Sequence, residues 1–87
     1  MNNILVEVYC AATLKSYDFW LPSNGIIKNI IEKLMDEIAL YENNIQLFSE
    51  ESSKSMILYH SNLKVVLNMQ YTVVESGVMN GDKLILI

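Results

Sequence analysis

The sequence has little of the chemistry on which several large classes of protein depend. Its 87 residues include one cysteine, one histidine, one proline, three glycines and no arginine. A single cysteine, Cys10, excludes an internal disulfide, and this cysteine usage is typical of the reducing cytoplasm. No apolar run approaches the roughly 18–20 residues that span a bilayer. Met1–Asn3 places no basic segment ahead of an apolar stretch, so we expect no secretory signal.

Positive charge is also scarce. Six lysines against ten acidic residues give a net charge of −4, and the lysines do not cluster. Nucleic-acid and anionic membrane surfaces both require clustered cations. The sequence therefore predicts neither nucleic-acid binding nor binding to an anionic membrane surface, and its short apolar runs predict no direct membrane insertion. Its 52% hydrophobic and 18% charged residues instead predict one small folded domain over residues 1–87.

Two strands open the chain. Ile4–Cys10 and Lys15–Leu21 are rich in β-branched and aromatic residues and alternate in polarity, and the short linker between them suits a hairpin loop. Because successive strand residues point to opposite faces, each strand has an apolar inner face. The residues predicted on the inner face are Ile4, Val6, Val8, Cys10, Tyr17, Phe19 and Leu21.

An amphipathic helix follows from Ile26 to about Glu42, where apolar residues recur with a period of 3.6. Ser23 or Asn24 is expected to cap its first N–H groups. Asn43–Asn44 is expected to end it, because Asn tolerates the left-handed cap conformation. Leu40 lies off the apolar stripe and has no evident burial partner. The stripe comprises Ile27, Ile30, Ile31, Leu34, Ile38 and Tyr41, flanked by Met35.

The second half of the chain carries shorter elements. Leu47 and Phe48 are expected to pack on the domain, whereas 49–55 is polar and expected to be mobile. The remaining predicted elements are strands at Met56–His60, Val65–Leu67 and Lys83–Ile87, and one helical turn at Thr72–Ser76 with Val73 pointing inward.

The order β-β-α-β-β-short helix-β predicts an α+β fold. A single amphipathic helix must bury its stripe against a sheet. If the last strand lies beside the first, the pair is parallel and the arrangement is a β-grasp: a mixed four- to five-stranded sheet packed on one amphipathic helix. The predicted core is Ile4, Val6, Val8, Phe19, Leu21, Ile27, Ile31, Leu34, Ile38, Leu58, Leu67, Val73, Leu84 and Leu86.

Two segments carry a resemblance to a known family. Tyr17–Pro22 leads into the helix, and the tail Tyr71–Ile87 is similar to the family's "Leu…Gly-Ile-x-Asn-Gly-Asp-x-Leu" ending. The order of the elements resembles that of ubiquitin-like β-grasp domains over essentially the whole chain. The chain more closely resembles the small YukD/EsaB-type proteins associated with type VII secretion in Gram-positive bacteria. The stretch 43–55 departs from the pattern.

The resemblance implies a cytoplasmic accessory or regulatory protein without enzymatic activity or cofactor. Its partners would be cytoplasmic parts of a membrane-embedded secretion complex. Conjugation is not expected, because ubiquitin-like modifiers need a flexible Gly-Gly tail and this sequence ends Leu84-Ile85-Leu86-Ile87.

Other functional interpretations are weaker than structural ones. Gly77–Lys83 has the wrong spacing for a phosphate loop, and the preferred interpretation is a tight turn in which Asn80-Gly81 supplies positive φ. Cys10 and His60 have no evident orienting partner for nucleophilic catalysis. Cys10 is expected to be a small buried hydrophobe, and His60 a surface or edge residue. No catalytic or metal site is predicted.

The strongest functional expectation concerns the sheet face turned away from the helix. Alternation should place an apolar set there together with Glu7, and neighbouring strands would bring Leu5, Trp20, Tyr59 and Ile85 into one exposed patch. Other ubiquitin-like domains use this face for recognition. The residues predicted to bind a protein are Leu5, Tyr9, Trp20, Ile57, Tyr59, Ile85 and Ile87.

Several occupants of this face remain open from the sequence alone. A partner protein or a symmetric homodimer would bury it, Leu47 and Phe48 could fold over part of it, or it could be uncommitted surface. The leading expectation is a non-conjugating ubiquitin-like accessory protein that binds partners non-covalently in a type VII secretion system. The alternative is a self-associating scaffold or a ubiquitin-like adaptor in another bacterial pathway.

Overall fold

Five strands and one long helix account for most of the chain. The computed structural model describes residues 2–87, so Met1, part of the segment considered above for a signal, lies outside the described residues. The elements are β1 (Asn3–Cys10), β2 (Lys15–Pro22), α1 (Ile27–Tyr41), the short α2 (Glu50–Ser53), β3 (Leu58–His60), β4 (Val65–Val66) and β5 (Lys83–Leu86).

The strands form a single mixed sheet in the order β2-β1-β5-β3-β4. The last strand lies parallel to the first, and every other neighbouring pair is antiparallel. This is the predicted α+β β-grasp with five strands. The last three strands, β3, β4 and β5, are each shorter than predicted. Beyond their ends the pairing continues only as isolated backbone contacts: Ile57 and Ile87 exchange two bonds, and the Leu67 N–H donates to the Leu58 carbonyl.

Strand alternation behaves as the sequence predicts. Along β1, Val6, Val8 and Cys10 are buried, whereas the intervening side chains are partly or fully exposed. Along β2, Phe19 and Leu21 are buried. The inner face of the sheet therefore meets the helix, and the other face, called the outer face below, is left uncovered.

The start of α1 differs from expectation. Neither Ser23 nor Asn24 caps it; the N-cap is Ile26, which makes no side-chain cap bond and is held extended by a bridge to Thr72. The first helical N–H groups instead donate to backbone carbonyls of the 68–72 loop, Ile27 to Tyr71 at 2.8 Å and Lys28 to Met69 at 3.1 Å. A distant loop therefore satisfies donors that a local cap was expected to satisfy.

The end of α1 matches expectation. Asn43 has a φ of 53°, and its N–H donates to the Leu40 carbonyl while the N–H of Asn44 donates to the Ala39 carbonyl. This pair of bonds is the Schellman arrangement, in which a left-handed residue satisfies the last helical carbonyls.

The predicted turn at Thr72–Ser76 forms, and Val73 is fully buried. The Thr72 N–H donates to Glu75 Oε1 and the Glu75 N–H donates to Thr72 Oγ1, which is a capping box. The turn that follows contains Gly81 at a φ of 87°, as its Asn-Gly sequence predicts.

The hydrophobic core contains all the predicted residues except Ile4, which is only partly buried at the margin. Tyr41 was predicted on the buried stripe, but it is the last residue of α1 and is 75% exposed. Its ring contacts that of Tyr17, at a centroid distance of 6.0 Å. The core further includes Cys10, Ile30, Met35, Met56 and Val78.

The segment between α1 and β3 packs on the helix side of the domain. Leu47 and Phe48 are partly buried against the core, as expected, so they do not cover the outer face. The polar stretch 49–55, which was expected to be mobile, contains α2, whose two leading glutamates favour the positive end of a helical turn. Among residues 2–87, no helix has both the length and the hydropathy needed to cross a bilayer.

Candidate functional site on the outer face of the sheet

The outer face holds all seven residues that were predicted to bind a protein. Alternation along β1, β2, β3 and β5 turns their side chains away from the helix, and each is partly or largely exposed. They are Leu5, Tyr9, Trp20, Ile57, Tyr59, Ile85 and Ile87. The register of the strands then decides which of them are neighbours.

Most of them form one apolar cluster, which we call the aromatic row. In the register of the sheet, Tyr9 lies beside Ile85, Ile85 beside Tyr59, and Tyr59 beside Val66. Ile57 and Ile87 extend this cluster, because each donates its N–H to the carbonyl of the other. Side chains on adjacent strands stand close enough for one partner to contact several of them at once.

A charged row limits this cluster on one side. Glu7 lies opposite Asp18 on β2 and beside Lys83 on β5. The next pair beyond it is Leu5 opposite Trp20. The single patch expected from the sequence is therefore divided in two, because the register places Glu7, Asp18 and Lys83 between Trp20 and the aromatic row.

Side chains of the turn before β5 fix that strand in place. The Asn80 side chain accepts from the Leu5 N–H at 2.9 Å, and the Gly81 N–H donates to the Leu5 carbonyl at 2.8 Å. The Asp82 carboxylate accepts from the Met79 N–H at 2.8 Å. These bonds set the register that brings Ile85 beside Tyr9.

His60 also helps to hold the turn before β5 in place. The prediction that it is a surface or edge residue is wrong. Only 1% of it is exposed, because β3 turns it to the inner face. Its Nδ1 accepts from the Leu63 N–H at 3.1 Å, so Nε2 carries the proton and donates to Asp82 Oδ2 at 2.8 Å. Both ring nitrogens have partners, which is why an imidazole is tolerated there.

A second polar cluster ties the first hairpin to the end of the helix. Glu42 accepts from Lys15 at 2.9 Å and from the Tyr17 hydroxyl at 2.8 Å, and these bonds lower the pKa of its carboxyl. The same contact with Glu42 raises the pKa of Lys15. Burial is the main cause that raises the pKa of Tyr17, whose hydroxyl also lies 2.7 Å from Thr13 Oγ1. The cluster positions β2 against α1.

The reactive side chains do not converge. In the sheet register Cys10 pairs with Leu86, whereas His60 pairs with Leu84, and the hydrogen bonds of His60 go to Leu63 and Asp82. Within residues 2–87, no three side chains of the metal-ligating types come together. What the outer face offers is contact surface, with aromatic and aliphatic groups beside a charged margin.

Some residues of this surface were not identified from the sequence. Val66 completes the aromatic row, and only the register of β4 reveals it. Lys83 completes the charged row, again through register. Leu40 indicates a further surface already in the sequence, because the helical period places this apolar residue outside the buried stripe. It is 73% exposed.

No protein-family profile and no curated protein matches the sequence significantly. Solved structures match its fold. The chain is similar to the ubiquitin-like domain of EccD5 from Mycobacterium xenopi, with a TM-score of 0.76 and 16% identity, covering 100% of this chain and 94% of that one. It is also similar to the ubiquitin-like domain of the Mycobacterium tuberculosis type VII secretion system protein EccD1, with a TM-score of 0.70 and 12% identity, covering 100% of this chain and 99% of that one.

Ubiquitin from Caldiarchaeum subterraneum matches as well, with a TM-score of 0.69 and 15% identity, covering 99% of this chain and 92% of that one. At such identities the likeness concerns the fold alone. The chain has the ubiquitin-like fold, as predicted, with one long helix packed on a five-stranded mixed sheet.

Proposed function

We propose that this chain is a ubiquitin-like accessory protein that binds a partner protein non-covalently through the aromatic row of its outer face. The observation that carries the proposal is the row itself: Tyr9, Ile85, Tyr59 and Val66 lie side by side on four adjacent strands, on a face that no other part of residues 2–87 covers. Aromatic and aliphatic side chains with a polar margin are typical of interface cores.

The proposed setting is a type VII secretion system, with the chain acting in the cytoplasm as a YukD/EsaB-type protein. Two observations support this setting: the resemblance of Tyr17–Pro22 and Tyr71–Ile87 to that type, and the fold shared with the domain of the secretion protein EccD1. The proposed partner is a cytoplasmic part of the secretion complex.

We propose binding rather than catalysis or conjugation. The groups that could carry chemistry, Cys10 and His60, are both buried. Cys10 lies in the hydrophobic core, and both ring nitrogens of His60 are hydrogen-bonded within the domain. Ile87 exchanges two backbone bonds with Ile57 and is therefore held in the sheet.

Affinity capture with matched variants tests this proposal. The tagged chain, its Tyr59→Ser variant and its Ile45→Ser variant are used as bait in the cytoplasm of the native cell. Ile45 is 85% exposed and lies beyond the end of α1, so its variant controls for the loss of an exposed apolar side chain. We expect the parent chain and Ile45→Ser to retain a secretion component and Tyr59→Ser to lose it. Equal capture by all three baits, or no secretion component in any, would contradict the proposal.

A homodimer is the second candidate occupant, because an apolar row on one face can pair with a second copy across a two-fold axis. Light scattering over a concentration series separates the two. A mass that rises to twice the 10.0 kDa monomer and is restored to the monomer value by Tyr59→Ser identifies a self-associating scaffold. A constant monomer mass favours the partner protein.

A further inference from the structure

A second surface lies at the opposite edge of the sheet from β4. A groove of about 640 Å³ runs between the free edge of β2 and the C-terminal half of α1. We call it the edge groove. Its apolar lining is unusually exposed, with 62% of Trp20, 73% of Leu40 and 75% of Tyr41 open to solvent. The full lining is Asp18, Phe19, Trp20, Glu37, Leu40 and Tyr41.

The edge beside this groove has backbone groups free to pair. The Ser23 N–H donates to the Asn2 carbonyl at 3.0 Å, which makes that pair a hydrogen-bonded one in the antiparallel ladder. Since such pairs alternate with non-bonded pairs, the N–H and C=O groups of Ser16, Asp18 and Trp20 point away from β1. Within residues 2–87 no other group bonds to them.

Only the ends of this edge are protected. Pro22 has no N–H at one end, and Lys15 is engaged by Glu42 at the other. The middle of an eight-residue strand is left open, whereas the opposite edge strand, β4, has only two residues. Natural sheets avoid long open edges unless something covers them.

The charges at the groove specify what can cover it. Asp18 and Glu37 line it, and neither forms an ion pair within the described part of the chain. A second copy that paired its β2 antiparallel about Asp18 would place the two Asp18 carboxylates opposite each other, which is unfavourable. A strand with a basic residue opposite Asp18 has the complementary charge.

We propose that the edge groove binds an extended peptide segment of a partner protein, in which basic and apolar residues alternate, as a sixth strand added beside β2. The residue paired with Asp18 lies on the outer face and is basic. Its neighbours in sequence turn to the helix side and contact Leu40 and Tyr41. Backbone pairing supplies affinity, and the alternate side chains supply specificity. The edge groove is separate from the aromatic row, so this inference does not depend on the proposed function.

Fluorescence of Trp20, the single tryptophan, tests the inference directly. The probe is the blocked heptapeptide Lys-Val-Lys-Val-Lys-Val-Lys, which lacks aromatic residues. We expect a saturable change in emission, with amide protons of Ser16, Asp18 and Trp20 gaining protection from exchange. Two control peptides should bind at least tenfold more weakly. One has Glu for each Lys, which reverses the charge. The other has Pro for the central Val and for the Lys after it; because adjacent N–H groups point to opposite sides of a strand, this removes a donor that faces β2 in either strand direction.

Variants of the chain separate this site from the aromatic row. Asp18→Lys and Leu40→Ser should each weaken binding of the peptide probe. The expected loss of affinity for Asp18→Lys is roughly tenfold, since a favourable charge contact becomes a repulsive one. Tyr59→Ser should leave its affinity unchanged. Because Leu40 is largely exposed, its variant is expected to keep the parent melting temperature.

Three results would overturn the inference. Equal affinity for the Pro-containing peptide would mean charge attraction without strand pairing. Chemical shift changes centred on Tyr9, Tyr59 and Ile85 would place the peptide on the aromatic row. Self-association that Asp18→Lys abolishes would make a second copy the occupant.

Discussion

Removing the Asp82 carboxylate should destabilise the protein strongly, although Asp82 lies in a turn. Its Oδ2 accepts from His60 Nε2 and from the Met79 N–H, each at 2.8 Å. In Asp82→Ala the buried His60 Nε2–H is left without a partner, which costs about 1–3 kcal/mol, and the loss of the Met79 bond adds about 1 kcal/mol. We therefore expect the free energy of unfolding to fall by about 2–4 kcal/mol.

Urea denaturation followed by circular dichroism and by Trp20 emission measures this change. For a domain of this size each 1 kcal/mol corresponds to roughly 4–8 °C in melting temperature, so a thermal scan provides a second readout. Asp36→Ala is the matched control: Asp36 is exposed on α1, and its change should stay within about 0.5 kcal/mol.

A double variant shows whether the His60 contact is the cause. If the cost of Asp82→Ala comes from an unpaired imidazole, adding His60→Leu removes that imidazole. The two substitutions together should then cost less than the sum of the two alone. Additive costs, or an Asp82→Ala variant as stable as the Asp36→Ala control, would refute the role assigned to this pair.

Two further predictions concern the hairpin and the helix end. Contacts with Lys15 and Tyr17 lower the pKa of Glu42, so the stability it contributes is present at neutral pH and is lost as pH falls through the folded-state pKa. Glu42→Gln should therefore lower stability at neutral pH and flatten the acid side of the pH profile, below about pH 5, measured by urea denaturation; an unchanged profile would contradict this. Because Asn43 has a positive φ, Asn43→Val should destabilise by roughly 1–2 kcal/mol and Asn43→Gly should not. Equal melting temperatures for these two variants would argue against the left-handed cap.

Local patterns were enough to predict the elements and their faces. Alternation in β1 and β2 and the 3.6-residue period of α1 identified the inner face, because burial on one side repeats with the geometry of each element. Asn43 and Gly81 were predictable for a similar reason, since few residue types suit a left-handed conformation.

Features that depend on distant parts of the chain were not predicted. The first helical N–H groups are satisfied by carbonyls of Met69 and Tyr71, more than 40 residues away in sequence, and not by the local cap predicted at Ser23 or Asn24. His60 can be buried because the carboxylate of Asp82, 22 residues later, accepts a hydrogen bond from its Nε2–H. No local pattern indicates either pairing.

The division of the outer face has the same origin. Each side chain could be assigned to that face from alternation alone. Which residues are neighbours depends on the offset between strands, and that offset places Glu7 beside Lys83 and opposite Asp18. Trp20 is thereby separated from the aromatic row and joins the edge groove.

Site-specific photo-crosslinking shows whether a partner binds at the aromatic row. A photoreactive phenylalanine analogue is placed in living cells at Tyr59 in one strain and at Lys33, exposed on the far side of α1, in another. We expect a discrete adduct with a second protein from position 59 and none from position 33. Adducts from position 33 with none from position 59 would contradict it.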